Sequence, residues 1–250
     1  MKLALLQINS IWENESANLH AAGLLLNKAA KAGCDVAVLP EMFSTGFTMR
    51  LPAVSDGQTV NAFLTEQAKR HNMHILAGVA MKKPNEKRGT NNALFFDRTG
   101  RITARYAKSR LFPLADESKA YRSGTKPIVF SICGVSASVF ICYDLRFPEL
   151  FRQVCRDVQI IFVIANWPQS RMNHWEALLR ARAIENQCFV AGVNRTGKDG
   201  NGIRYAGGSL VVDPMGMTIA QLDSRIKWAV VEIDPSRVTE MRARYPFLPQ

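Results

Sequence analysis

An α/β fold built around a mixed sheet follows from two features of this sequence. Short apolar, β-branched runs alternate with amphipathic helical stretches almost throughout the 250 residues. Two of those runs, Ala93 to Asp97 and Ile102 to Tyr106, adjoin with only the ArgThrGly turn between them. A hairpin of that kind is foreign to a simple doubly wound parallel sheet, so antiparallel strands must join parallel ones.

Residues 2 to 9 read as a buried strand, and Ser16 through Lys31 as an amphipathic helix with Ser16 as its cap and Gly33 as its stop. Asp35 to Leu39 is a second buried strand, ending in the loop ProGluMetPheSerThrGlyPhe. Open α/β sheets place their sites in loops at strand carboxyl ends. A helix from Val60 to His71 and a strand from His74 to Met81 precede the hairpin. The stretch from Ser109 to Gly124 has no clear periodicity, and an aperiodic loop of that length inside a compact domain is usually functional. A strand from Pro127 to Ile132 follows, and then the run ValSerAlaSerValPheIle ends at Cys142. Pro148 and Glu149 have the pattern of a helix start, so Cys142 falls on a sharp strand-to-helix turn that presents its thiol. Gln159 to Ala165 is a further strand, closed by AsnTrpPro. Residues 172 to 187 form a helix with His174, Ala177, Leu178, Ala181 and Ile184 on one side. Phe189 to Val193, Ser209 to Val212 and Ala229 to Ile233 complete the strands, with AspProMetGly at 213 to 216 as a hairpin turn. Residues 245 to 250 read as an arm. No repeat or linker interrupts the chain, and one domain over residues 1 to 250 is expected, although two similar halves are compatible with the pattern.

Composition narrows the function. The start turns polar at Asn9, short of a secretory signal, and no apolar run approaches the roughly 18 residues of a membrane span. A cytoplasmic protein without membrane attachment is expected. Cys34, Cys133, Cys142, Cys155 and Cys188 are odd in number, with no Cys-x-x-Cys and no Cys/His cluster at zinc spacing. They read as reduced thiols, four structural and one chemical, with no metal and no cofactor. The net charge of +11 is spread from Lys2 to Arg244 without a basic, aromatic-interleaved stripe. That speaks against nucleic-acid binding and leaves steering of a small anion.

Three strands end in reactive groups: Glu41, Lys108 and Cys142. A thiol attacking an amide needs a base, an oxyanion donor and an acid for the departing amine, and Glu, Lys and Cys supply that set. Asp144 and Arg146, flanking the turn, read as an ion pair that fixes it. His174 reads as a packing or hydrogen-bonding histidine, and AspGlyAsnGly at 199 to 202 as a flexible turn without the lysine-serine ending of a phosphate loop.

LeuProGluMetPhe around Glu41, TyrAlaLysSerArgLeuPhe around Lys108 and CysTyrAspLeuArgPheProGlu around Cys142 together resemble the nitrilase superfamily of carbon-nitrogen hydrolases, over nearly the whole chain. Glu117 in LeuAlaAspGluSer matches the family's second glutamate. AlaAsnTrpPro at 165 to 168, the helix that follows and AsnArgThrGlyLysAspGlyAsnGly look most like the omega-amidase branch. The resemblance implies a four-layer αββα sandwich that forms a homodimer, with Phe147, Leu150, Phe151 and the terminal PheLeuPro as exposed contacts. It also implies a mechanism. Glu41 takes the proton of Cys142, whose thiolate Lys108 favours, and Lys108 with the backbone N–H of Tyr143 holds the oxyanion. Glu41 then protonates ammonia and activates water against the thioester. Glu117 positions Lys108 or the substrate amide; on spacing alone it is equally a surface carboxylate. The implied substrate is a small-molecule amide, a short α-keto acid ω-amide. Phe47 and Trp167 are candidate apolar walls, and Arg171 either reaches the substrate carboxylate or faces solvent. A nitrile, an N-carbamoyl amino acid, deaminated glutathione, or a binding role without turnover are the alternatives.

Overall fold

The structure, a computed structural model, describes residues 1–248. The first half comprises β1 (Lys2–Leu6), α1 (Glu15–Lys31), β2 (Val36–Val38), α2 (Gln58–His71), β3 (His74–Met81), β4 (Gly89–Phe96), β5 (Ile102–Ala107), α3 (Glu117–Ala120) and β6 (Tyr121–Arg122). The second comprises β7 (Phe130–Ile132), β8 (Val135–Ile141), α4 (Pro148–Arg152), β9 (Ile160–Ala165), α5 (Met172–Asn186), β10 (Phe189–Asn194), β11 (Thr196–Lys198), β12 (Arg204–Ala206), β13 (Leu210–Val212), β14 (Thr218–Gln221), β15 (Trp228–Glu232) and α6 (Ser236–Arg244).

Two mixed sheets result. One has the order β15-β1-β2-β3-β4-β5, with β6 on β4, and the other β14-β13-β10-β9-β8-β7. In each, three consecutive parallel strands (β1, β2, β3; β8, β9, β10) continue into two antiparallel ones (β4, β5; β13, β14). The two halves therefore share one strand plan, and the ArgThrGly and AspProMetGly turns fall at equivalent points, between the two antiparallel strands of each.

The strand alternation sets the layers. Leu3, Leu5, Val36 and Val38 join the core that includes β8, β9 and β10, whereas Ala4, Leu6 and Ala37 pack with Ala22 and Leu26 of α1 and Leu64 of α2. Successive side chains of a strand point to opposite faces, so this division places one sheet against the other and α1 with α2 on its back. Trp175, Leu179 and Ala183 of α5 cover the second sheet from outside. The order helix, sheet, sheet, helix is the expected αββα sandwich. Among the described residues, no helix is long and apolar enough to cross a membrane.

Several local expectations change. The carboxamide of Asn14, not Ser16, caps α1 by accepting from the Ala17 N–H; Ser16, two positions on, lies inside the helix. β1 ends at Leu6, and the chain from Gln7 to Ser10 is held instead by side-chain and loop hydrogen bonds. The buried side of α5 is Trp175, Leu179, Arg182, Ala183 and Asn186, leaving Ala177 and Ile184 outside. Trp175 wins the core position because its indole N–H donates to Gly208 O at 2.8 Å while its rings pack inward. Cys133 is exposed on the β7–β8 turn. Leu150 and Phe151 are not surface residues: they are buried, with Phe151 against Phe140 at 4.1 Å between ring centroids. Helix α6, unexpected from its polar sequence, buries only Val238. It is fastened by Arg242, which donates to the carbonyls of Cys155, Val158 and Asn186. Of the terminal PheLeuPro, Phe247 is exposed and Pro249 lies outside the described residues.

Candidate active site

The site forms where strands of both sheets end. β2 runs out at Val38, and Pro40 then turns Glu41 inward; β5 delivers Lys108; β8 delivers Cys142; and Glu117 opens α3. Gly78 of β3 lies beneath Glu41, and a Cβ there would come within 2.4 Å of the Glu41 Cα. Only glycine lets the two backbones approach so closely. Cys142 has φ of 47°, a left-handed conformation that a non-glycine residue rarely adopts, at the junction of β8 and the short helical turn Cys142–Arg146. The strand-to-helix turn expected from sequence is therefore present, and its geometry lifts the thiol out of the sheet.

Glu41, Lys108 and Glu117 are fully buried and bonded to one another. Lys108 Nζ donates to Glu41 Oε1 at 2.9 Å and to Glu117 Oε2 and Oε1 at 2.8 and 3.1 Å. Glu117 Oε2 also accepts from the Phe112 N–H at 2.7 Å, so this residue is an internal partner of Lys108 rather than a surface carboxylate. Glu41 Oε2 accepts from the Asn166 backbone N–H at 2.9 Å, and the Asn166 carboxamide donates to Glu41 O at 2.7 Å. The Cys142 Sγ lies 3.8 Å from Asn166 O. No motif in the sequence marks Asn91, and Asn166 and Asn194 enter it only as members of the AlaAsnTrpPro and AsnArgThrGly motifs, without a role. Their signal is polar side chains inside or just after otherwise apolar strands, where burial demands a partner. Asn194 closes the loop after β9 by accepting from the Trp167 N–H at 2.8 Å and donating to Trp167 O at 3.0 Å.

The charges around Cys142 oppose one another. Burial, then the charge of Glu41, push the Cys142 thiol well above its usual range, against the opposing effect of Lys108. Lys108 favours the thiolate, as expected, but burial and the Glu41 carboxylate work against it, which leaves the Cys142 proton for Glu41 to take. For Lys108 burial disfavours the charge, but the carboxylates of Glu117 and Glu41 outweigh it and hold the ammonium well above the ordinary lysine value.

Cys142 opens onto a cavity of about 810 Å³ that Tyr143, Phe47, Trp167 and Arg171 also line. Glu41, Lys108 and Glu117 stand behind this wall, with Lys108 Nζ 5.2 Å from the Phe47 ring centroid. The Tyr143 N–H is in the first turn of the Cys142–Arg146 helix, where backbone donors have no partner within the helix. The structure thus brings every residue singled out for catalysis or substrate contact to one place. The Arg171 guanidinium sits over the Phe112 ring at 5.5 Å, at the cavity wall and not out in solvent.

The supposed Asp144–Arg146 pair is absent among the described residues. Asp144 instead accepts from the Ile141 and Arg110 backbone N–H groups and the Tyr106 hydroxyl, at 3.0, 2.7 and 2.8 Å. It is this carboxylate that clamps the turn. Arg146 turns to the cavity, over the Trp167 ring at 4.9 Å and donating to His174 Nδ1 at 3.1 Å. His174 is exposed and its role is that hydrogen bond, not packing. Gly200 and Asn201 of the 199–202 turn, with Trp12, Arg50 and Tyr205, complete the cavity rim. Among the described residues no three His, Cys, Asp or Glu side chains are grouped as a metal site.

A family model described as carbon-nitrogen hydrolase matches residues 2–243. The chain is 36% identical over 249 residues to a 2-oxoglutaramate amidase of Bacillus subtilis, covering 98% of this chain and 95% of that one. It is 38% identical over 248 residues to the omega-amidase YafV of Escherichia coli, covering 98% and 94%. Among solved structures, an amidase of a Nesterenkonia species, captured after Michael addition of acrylamide at its active-site cysteine, superposes with a TM-score of 0.87 at 27% identity, covering 98% of this chain and 97% of that one.

Proposed function

The chain belongs to the carbon-nitrogen hydrolase family, and from that premise we propose that it is a cysteine-dependent omega-amidase, releasing ammonia from short α-keto acid ω-amides with Cys142 as nucleophile. The observation that carries this reading is the sealed Glu41–Lys108–Glu117 network directly behind the one thiol that opens onto the cavity.

The chemistry runs from that arrangement. Glu41 Oε2 takes the Cys142 proton as sulfur attacks the amide carbonyl, so charge separates only when the electrophile is present. The oxyanion is held by the Lys108 ammonium and the Tyr143 N–H. Collapse expels ammonia with the proton from Glu41. Water, deprotonated by Glu41, then attacks the thioester, and the keto acid leaves as Cys142 recovers its proton. Glu117 keeps Lys108 charged and pointed, without touching substrate.

Three arginines line the cavity. Arg50 is paired with Glu13 at 3.0 Å, whereas Arg146 and Arg171 have no carboxylate partner among the described residues. Arg171, together with Arg146, supplies the cation for the substrate carboxylate, and Phe47 and Trp167 the apolar walls. The cavity exceeds the volume of a five-carbon amide, which makes the larger N-carbamoyl amino acids and deaminated glutathione the competing substrates. A panel of 2-oxoglutaramate, a nitrile, an N-carbamoyl amino acid and deaminated glutathione tests the reading. The keto acid amide should show the highest kcat/KM, and Arg171→Met should raise its KM while sparing a small uncharged amide. A far higher kcat/KM for any other member rejects the substrate assignment.

The protein acts in the cytoplasm as a homodimer in this proposal. Ile184 of α5 and Met215 and Met217 of the β13–β14 turn are exposed, and Ile184 meets that turn at Gly216. These residues replace Leu150 and Phe151 as the apolar contact. Light scattering that returned only the 27.9 kDa monomer at micromolar concentration would reject the dimer.

A further inference from the structure

Asn91 lies in the middle of β4, opposite Ala80, and is fully buried. Its carboxamide nitrogen donates to Glu41 Oε1 at 2.7 Å and to Glu117 Oε1 at 3.0 Å. These are the two oxygens that Lys108 Nζ also contacts, at 2.9 and 3.1 Å. Its main-chain carbonyl accepts from the Lys108 N–H at 2.9 Å. The carboxamide oxygen has no partner. Reversing the amide would set that oxygen against two carboxylates, so the group is held for its two N–H donors.

The consequence is a choice of oxygen. Glu41 Oε1 is held by the Lys108 ammonium and the Asn91 amide, whereas Oε2 accepts only from uncharged donors, the Asn166 N–H at 2.9 Å and the Asn166 carboxamide at 3.2 Å, on the side where Cys142 lies; Oε2 is therefore the oxygen better placed to exchange a proton. A second cation in place of Asn91 would hold the carboxylates equally well but would weaken the base. A neutral donor fixes the geometry without adding charge, and it shares the restraint of both carboxylates with Lys108. Resting on the assignment of Glu41 as the base, we propose that Asn91 is a positioning residue for proton transfer: its bridge between Glu41 and Glu117 fixes the Glu41 carboxylate and keeps Oε2 turned toward Cys142 to take its proton.

The ionisable groups facing Glu41 are Lys108 at the end of β5, Glu117 on α3, Cys142 after β8 and Tyr121 on β6, whose hydroxyl donates to Thr48 O at 2.7 Å. None of them replaces the lost donor in an Asn91 variant, since each except Tyr121 already belongs to the network and Tyr121 is committed to Thr48. Removing a hydrogen bond to the charged form raises the pH at which a carboxylate protonates.

The test compares wild type, Asn91→Ser, Asn91→Asp and Glu41→Gln, each assayed well below its own melting midpoint. In Asn91→Ser, kcat should fall roughly 10- to 100-fold with KM within about twofold, and the acid limb of the kcat/KM profile should move up by about one pH unit. Asn91→Asp keeps the side-chain volume but adds a third carboxylate, so its acid limb should move further still. If Asn91→Ser does not fold, Asn91→Thr, which is close to asparagine in volume and likewise lacks the bridging amide, carries the same measurement. An unmoved acid limb, with activity falling only in step with melting temperature, overturns the proposal. Glu41→Gln separates the two levels: near wild-type turnover there removes the base assignment itself, whereas an inactive Glu41→Gln beside an unperturbed Asn91→Ser removes only the role of Asn91.

Discussion

Replacing Lys108 by Met should unfold this protein more readily, and by an amount that depends on pH. The ammonium is fully buried and is the cation shared by Glu41 and Glu117. Breaking a buried pair by removing one partner costs about 3–5 kcal/mol, because the other charge stays buried and uncompensated. For a chain of this size that is a fall in Tm of roughly 6–20 °C. In the wild type Lys108 is held above its ordinary value, so its contribution is fully present below pH 10 or so and is lost only at higher pH. Stability at this site should therefore be flat from about pH 6 to 9. In the variant two carboxylates face each other without a cation. One must bind a proton in the folded state, and stability should fall as pH rises through that raised value. Adding Glu117→Gln removes one of the two charges and should recover much of the lost stability while leaving the enzyme inactive. Thermal melts from pH 5 to 9 decide the matter. A loss below about 1 kcal/mol, or one independent of pH, would refute the electrostatic account of the network.

Two further outcomes follow from the same geometry. Gly78→Ala introduces a Cβ within 2.6 Å of Pro40 O as well as against the Glu41 Cα. Backbone cannot yield there without moving Glu41, so kcat should drop by about 100-fold, and steady-state assays showing near wild-type kcat would mean that Glu41 is not held from below. Burial pushes the Asp144 carboxyl up to about 6, against the hydrogen bond from Ile141 and the charge of Lys108. Its folded value lies above its unfolded one, so the folded state holds a proton that the unfolded state releases, and stability declines as pH rises from about 4 to 6. Asp144→Asn should flatten that decline in urea titrations, and an unchanged slope would assign it to other groups.

The sequence made the strands and the nucleophile turn visible because both have local causes: β-branched runs bounded by turn residues, and an apolar strand meeting a Pro-Glu helix start. The four-layer arrangement came from the family resemblance, since periodicity alone does not say which sheet faces which. What stayed hidden is long-range. Asn91 and Glu117 meet Lys108 only because β4, β5 and α3 converge, and nothing near Asn91 in sequence announces two carboxylates beside it. Spacing does not single out the buried face of α5, because His174, Ala177 and Ile184 have as good a helical spacing as Trp175, Leu179 and Ala183. Helix α6 has no apolar period to announce it, because it is fastened by the hydrogen bonds of Arg242. The pull of Lys108 on the Cys142 proton is legible in the sequence, whereas burial, the larger and opposite effect, depends on how the two sheets close over the thiol.

The central claim is that Cys142 becomes acylated while Glu41 carries its proton, and rapid quenching followed by intact-mass and peptide mass spectrometry tests it most directly. With 2-oxoglutaramate at saturation, wild type should show a transient adduct equal to the substrate minus ammonia, confined to the peptide that contains Cys142 and absent in Cys142→Ala. Turnover without any adduct, or an adduct on Cys34, Cys133, Cys155 or Cys188 with activity surviving in Cys142→Ala, would contradict it.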